Sequence, residues 1–157
     1  TRMKSQTFAH VMRLSLGYPT EEAEHAILKR HGEGDPLSEV SALGDLPPLA
    51  DLRAGIRRVA VSDDVRSYLV KLARATRDHA SVELGSSPRG TLFFFRASQA
   101  WAAMAGRSYV IPDDVKEVAV PVLAHRLSVD PGLELRGATA EAVVTEIMAQ
   151  LPVPVEP

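Results

Sequence analysis

At 157 residues, 45% of them hydrophobic and 24% charged, the chain has the composition of one globular domain, or of a small domain joined to the edge of another, which excludes a largely disordered segment. The lack of cysteine excludes disulfide frameworks, thiolate metal sites and thiol nucleophiles, and agrees with a reducing cytoplasm as the expected location. A formal net charge of −2 offers no general attraction to nucleic acid or anionic membrane, and no apolar run approaches the ~20 residues of a spanning helix, so neither nucleic acid nor membrane is an expected partner.

Residues 1 to 6 are polar and carry no structural signal. Val11 to Tyr18 alternates apolar with small or polar residues, the period of a strand, and Pro19 ends it. Thr20 then caps a predicted helix with Glu21, Glu22 and Glu24 in its first turn, Lys29, Arg30 and His31 in its last, and Gly32 at its end. The Gly-, Pro-, Ser- and Asp-rich stretch that follows reads as a linker.

Behind Pro47-Pro48, the spacing of Leu49, Leu52, Ile56 and Val59 predicts a short amphipathic helix. Ser62 predicts the N-cap of a longer one running to about Arg77, with Val65, Leu69, Leu72 and Ala73 as its buried stripe. Residues 80 to 87 read as a loop. Ser87 as cap and Pro88 at the first helical position then open a helix that is apolar over much of its circumference and stops at Gly106, the expected centre of a bundle. Pro112 starts another helix to about Ala124, Leu133 to Leu135 reads as a brief extended segment, and Thr139 caps a last helix ending near Leu151.

The strongest local chemistry lies in Gly85-Ser86-Ser87-Pro88-Arg89. A helix start offers free N–H groups and the positive end of the helix dipole, and a guanidinium in the first turn is unfavourable there without an anion. Two readings stand: Arg89 meets an anionic ligand, or it pairs with a nearby carboxylate such as Glu83. The histidines, His10, His25, His31, His79 and His125, are scattered without metal-ligand spacing, so no metal site is expected. Asp113-Asp114 suits the first turn of a helix better than a metal, and His125-Arg126 suits a helix C-terminus. Phe93, Phe94, Phe95 and Trp101 suit a core better than base stacking.

Several runs in order resemble the lid of MoxR-family AAA+ ATPases. They are Tyr68-x-x-x-Leu72-x-x-Ala75-Thr76-Arg77-x-His79, Leu84-Gly85-x-Ser87-Pro88-Arg89 and Arg96-Ala97-x-Gln99-Ala100, followed by Ala105-Gly106-Arg107-x-Tyr109-Val110-x-Pro112-Asp113-Asp114-Val115 and Val122-Leu123-x-His125-Arg126-Leu127. Upstream, Leu14-Ser15-Leu16-Gly17-Tyr18-Pro19 is similar to the end of the family's ATPase core. The likeness covers roughly residues 11 to 154.

The resemblance implies a mainly α-helical chain. Residues 1–36 would be the strand and helix that end the α/β nucleotide-binding core, 37–48 a linker, and 49–157 the C-terminal lid, a bundle of four to five helices. Arg89 resembles sensor 2, the lid arginine that AAA+ proteins direct at ATP phosphates, which makes it the candidate catalytic residue. Ser87, Pro88 and Arg89 are the candidate nucleotide-binding residues, with Arg126 as a secondary one.

No G-x-x-x-x-G-K-[ST] phosphate loop occurs, nor an apolar strand ending in an acidic pair for Mg²⁺. ATP with Mg²⁺ is therefore expected only in an intact protein, and this segment alone is expected to be inactive and to bind no cofactor. The family usually has Gln-Leu-Asp-Arg-Phe where this chain has Gln6-Thr7-Phe8-Ala9-His10, so Ala9 stands in place of a candidate arginine finger.

The implied function is a lid that contributes to ATP binding and hydrolysis in a chaperone-like homo-oligomer, a hexamer when intact. Its implied partners are its own AAA+ core and von Willebrand factor A-domain proteins. The alternative is a stand-alone helical module for protein interaction or nucleic-acid binding, which would need a basic face.

Overall fold

The computed structural model describes residues 10–41 and 49–154. In chain order these form α1 (Glu21–Glu33), a 3-10 turn at Pro36–Glu39, α2 (Leu49–Arg57), α3 (Asp63–Asp78), β1 (Val82–Leu84) and α4 (Pro88–Met104). Then come α5 (Pro112–Leu123), a 3-10 turn at Ala124–Arg126, β2 (Ser128–Val129), α6 (Pro131–Glu134) and α7 (Ala140–Gln150). The expected mainly helical chain is what is found. Four helices begin where a hydroxyl turns back onto the N–H three residues on. Thr20, Ser62 and Ser87 accept from Ala23, Val65 and Gly90 at 3.3 Å, and Thr139 from Ala142 at 3.1 Å.

The core is one cluster contributed mainly by α3, α4, α5 and α7. Phe94 is completely enclosed, among Leu69, Leu72, Val115, Val122, Leu123 and Val144. Burying such side chains contributes roughly 1.5–3 kcal/mol each, and this term drives the bundle together. Although α4 is apolar nearly all round, only one side of it is covered. Phe94, Ala97 and Ala102 face inward, while Leu92 and Met104 stay exposed and Trp101 is 38% exposed.

A buried polar group fixes how the chain beyond α2 meets α4. Gln99 of α4 donates through Nε2 to the carbonyl of Val59 at 2.7 Å and accepts from Arg96 at 2.8 Å, which satisfies an amide that is only 2% exposed. This capture of the carbonyl just beyond α2 accompanies the end of that helix at Arg57, where the spacing had predicted Val59. Ala60 then runs alongside Tyr109, with Ala60 N–H to Ser108 and Val110 N–H to Ala60 at 2.8 and 2.9 Å.

Three expectations are corrected. Val11 to Tyr18 forms no strand pairing among the described residues; its backbone instead lies against the end of α5, with Arg13 N–H donating to the Pro121 carbonyl at 2.8 Å. A strand requires a laterally paired neighbour, and here Leu14, Leu16 and Tyr18 project outward, almost wholly exposed. Residues 133–135 are not extended: Asp130 accepts from Gly132 and Leu133 at 2.8 and 3.1 Å and so starts the one-turn α6. The small sheet lies elsewhere: β1, inside the stretch read as a loop, runs antiparallel to β2, with Val82 opposite Val129. Asp130 N–H extends this pairing to the Ser81 carbonyl at 3.0 Å. Ala9, where the family arginine was looked for, and residues 42–48 of the expected linker lie outside the described residues.

Asp114 holds α5 in place. It is 2% exposed, accepts from Arg107 through both carboxylate oxygens and from the Ile111 N–H at 2.9 Å, and so closes the turn into the helix. Burial works against its ionisation, but the Arg107 hydrogen bonds, the Ile111 N–H and the Arg107 charge together hold the carboxyl below its ordinary value of 3.8. A carboxyl lowered in the folded state contributes stability that is full above pH ~4 and is lost as pH falls through the lowered value. Asp114→Asn should therefore lower the Tm at pH 7 by roughly 5 °C, because it strands a guanidinium. The gap from wild type should narrow below pH ~4, and thermal melts at pH 7 and pH 3 measure both effects.

Candidate functional site

Position of the α4 start is set from α3. Thr76 is fully buried, and its hydroxyl donates to the Ala73 carbonyl at 2.7 Å and accepts the Ser86 N–H at 3.0 Å. Arg77 donates through Nε to the Ser86 carbonyl at 2.7 Å. Both backbone groups of Ser86 are thus held by neighbouring residues of one helix, which fixes where the next helix can begin. The approach is close enough to require glycine at Gly85, where a Cβ would lie 2.6 Å from the Arg77 Cα and 2.7 Å from the Thr76 carbonyl oxygen.

From this anchor the chain enters α4. Ser87 is extended, with φ −73° and ψ 164°, Pro88 occupies the first helical position, and Arg89 the second. Arg89 is exposed and makes no hydrogen bond or ion pair among the described residues. The pairing with Glu83 that offered a local explanation is not formed. What remains is a guanidinium at the positive end of a 17-residue helix, a placement that suits an anion supplied from outside.

Arg126 is arranged in the opposite way. It is 5% exposed, its Nε donates to the Val122 carbonyl at 2.9 Å, and one terminal nitrogen reaches the carbonyls of His10 and Val11, the latter at 3.2 Å. Beside it, His125 Nδ1 lies 3.0 Å from the Pro121 carbonyl. Burial pushes the His125 imidazole below its ordinary value, with a further push from the adjacent Arg126 charge, while contacts with the His10 and Pro121 carbonyls pull the other way. The pair therefore occupies the last carbonyls of α5, the capping role read from its place at a helix end. The structure brings Ser87, Pro88 and Arg89 together and puts Arg126 beneath the same helix, not beside Arg89 on the exposed side.

Residues 74–147 match the AAA lid domain family. The chain is 33% identical over 153 residues to uncharacterized protein YeaC of Bacillus subtilis, covering 98% of this chain and 48% of that protein. It is 29% identical over 161 residues to chaperone MoxR1 of Mycobacterium tuberculosis, covering 96% and 42%. To protein MoxR of Paracoccus denitrificans it is 36% identical over 121 residues, covering 68% and 36%. The chain carries the lid region of a MoxR-family AAA+ protein. A crystal structure from Cytophaga hutchinsonii, described as a candidate ATPase, shares the fold with a TM-score of 0.76 at 22% identity, over 92% of this chain and 47% of that one. The chain spans about half the length, or less, of the curated relatives it matches.

With the lid's geometry in view, the shared motifs acquire physical content. Tyr68 and Leu72 are core, Thr76-Arg77 holds Ser86, Gly85 permits that approach, Gln99 captures Val59, and Arg107 pairs with Asp114. One feature of the lid was not legible in the chain order: a groove of about 460 Å³ between α3 and α4, lined by Arg66, Arg74 and Arg77 and by Leu69, Leu92 and Phe95. All three arginines lie on α3, and only the packing of that helix against α4 sets the apolar Leu92 and Phe95 beside them. Among the described residues no group of three metal-ligating side chains occurs, and no helix is long and apolar enough to cross a membrane.

Gly85→Ala should destabilise the lid by roughly 1–3 kcal/mol, since the colliding atoms belong to backbone that cannot swing aside. Gly32→Ala, where an added Cβ meets nothing within 4 Å, is the control and should change stability little. Urea titration of both variants measures the contrast; equal stability of the two would show that the α3–α4 turn is free to shift.

Proposed function

We propose that residues 49–157 form a lid which closes over ATP in the intact protein, and that Arg89 is the sensor-2 residue directed at its phosphates. Residues 1–36 would end the nucleotide-binding core and 37–48 would link the two. The observation that carries this reading is the exposed Arg89, unpaired among the described residues, at the second position of a capped helix, in a turn held by Thr76 and Arg77. A guanidinium fits a phosphoryl oxygen through directed, charge-assisted hydrogen bonds, and the Ser87 cap aligns the helix start beneath it.

ATP supplies the transferable phosphoryl group, and Mg²⁺ and the phosphate loop would come from parts of the intact protein outside this sequence. The role of this chain is to place one positive group and to exclude water as it closes. Rigid-body motion of the lid would then pass the nucleotide state to neighbouring subunits. The intact assembly is proposed as a chaperone-like homo-oligomer, a hexamer, working with von Willebrand factor A-domain partners. Support for the chaperone role comes from the name of the mycobacterial relative. The arginine-lined groove favours, as a second reading, a protein-interaction surface for a partner with an acidic and partly apolar face.

Arg89→Ala in the intact ATPase should lower turnover by roughly 10²–10³, the usual cost of removing one preorganised donor, while the Tm of the lid moves by no more than about 2 °C. This chain alone should show no hydrolysis above a no-protein control. Steady-state phosphate release and thermal melting on wild type and variant make the test. Unchanged turnover, or a large loss of Tm, would return Arg89 to a structural role.

A further inference from the structure

We infer that Arg126 is a positioning residue that ties the segment before α1, His10 to Arg13, to the start of the helix that carries Arg89. Its importance to nucleotide response rests on the lid reading above, but the linkage itself is a property of this chain. One guanidinium meets three stretches far apart in sequence. It bonds the carbonyls of His10 and Val11, bonds the Val122 carbonyl at 2.9 Å, and lies 4.9 Å from the centre of the Phe93 ring. Its Cδ also packs under Gly90, where an added Cβ would come within 3.2 Å of it and within 2.3 Å of the Ser86 Oγ. A side chain at position 90 would therefore push Arg126 away from the first turn of α4.

The segment is held from a second side. Arg13 N–H donates to the Pro121 carbonyl at 2.8 Å, and His125 Nε2 lies 3.4 Å from the His10 carbonyl. With the segment docked the guanidinium is 5% exposed, and lifting His10 to Arg13 off the lid would remove two of its three carbonyl partners, a loss that only incoming water would offset. Moving the start of α4 would remove the Phe93 face from the same group. The segment His10 to Arg13, the end of α5 and the start of α4 therefore shift together or lose contacts to Arg126. Nε and one terminal nitrogen are occupied by backbone carbonyls, an arrangement that suits a spacer between moving parts.

Amide hydrogen exchange by NMR on this chain tests the linkage, with wild type, Arg126→Met, Arg126→Lys and Arg13→Pro compared. Arg126→Met should speed exchange roughly tenfold at the Arg13 amide and at Thr91 to Phe93, while Leu69 to Leu72 in α3 keep their protection. Arg126→Lys should not rescue, because one ammonium cannot reach carbonyls on both sides and stack on Phe93. Arg13→Pro removes one N–H at an exposed residue outside the helices and leaves every fully buried core residue in place, so it should leave the core folded. By reciprocity it should still speed exchange at Thr91 to Phe93. Unchanged exchange there in Arg13→Pro, full rescue by lysine, or a rise in Arg126→Met spread evenly over all helices would each overturn the inference. The measurement needs no nucleotide, so its failure leaves the reading of Arg89 standing, and failure of the Arg89→Ala turnover test leaves this linkage standing.

Discussion

Two hydrogen bonds between the end of α3 and the backbone of Ser86 determine where the exposed Arg89 is held. Thr76 takes the Ser86 N–H and Arg77 gives to its carbonyl, so the turn between α3 and α4 has no freedom to choose another path. Ser87 then caps α4, Pro88 sets the first dihedral, and Arg89 emerges at a defined point. A flexible loop in that place would present the same residues without a direction. Preorganisation of this kind lets a single guanidinium act on a developing charge without a reorganisation cost at the moment of need.

The helix that begins there is also the one the bundle is built around. Phe94, the residue after the Phe93 that meets Arg126, sits in the centre of the core, and Gln99, about one and a half turns further on, draws in the chain beyond α2. The inner face of α4 therefore carries cohesion and its first turn carries charge. Separation of the two roles along one helix explains how an exposed arginine can be electrostatically misplaced in the isolated lid without loosening the fold: the unfavourable dipole interaction is small beside the burial that holds the helix in place.

Paired polar groups do comparable work on the other side of the bundle. Arg107 and Asp114 close the entrance to α5, and His125 with Arg126 take up the carbonyls at its end. Both ends of α5 are thus satisfied by side chains, and its Pro121 leaves a carbonyl that serves His125 and the Arg13 N–H at once. The segment His10 to Arg13 docks on this prepared edge. Beyond Arg13 it projects apolar residues outward, and α1, with Ile27 and Leu28 exposed, follows the same pattern. That unburied apolar surface agrees with a proposed ATPase core packing against it.

Helix starts, the order of the bundle, the capped arginine and the family were legible because each is a local pattern: a hydroxyl before a periodic apolar run, proline at a first position, a guanidinium in a first turn. Tertiary structure alone decided the rest. Strand periodicity at Val11 to Tyr18 describes a preference that only a neighbouring strand can satisfy, and in its absence the backbone turned to Pro121 and Arg126. β1 and β2 were invisible for the reverse reason, since two or three residues carry no period and their pairing depends on how α3 and α5 end. Arg126 reads in the sequence as half of a motif beside a helix end, and its type does not say which way it points. Only packing against Phe93 and Gly90 turned it inward, because a guanidinium goes where carbonyls converge, and that convergence is made by three segments distant in the chain.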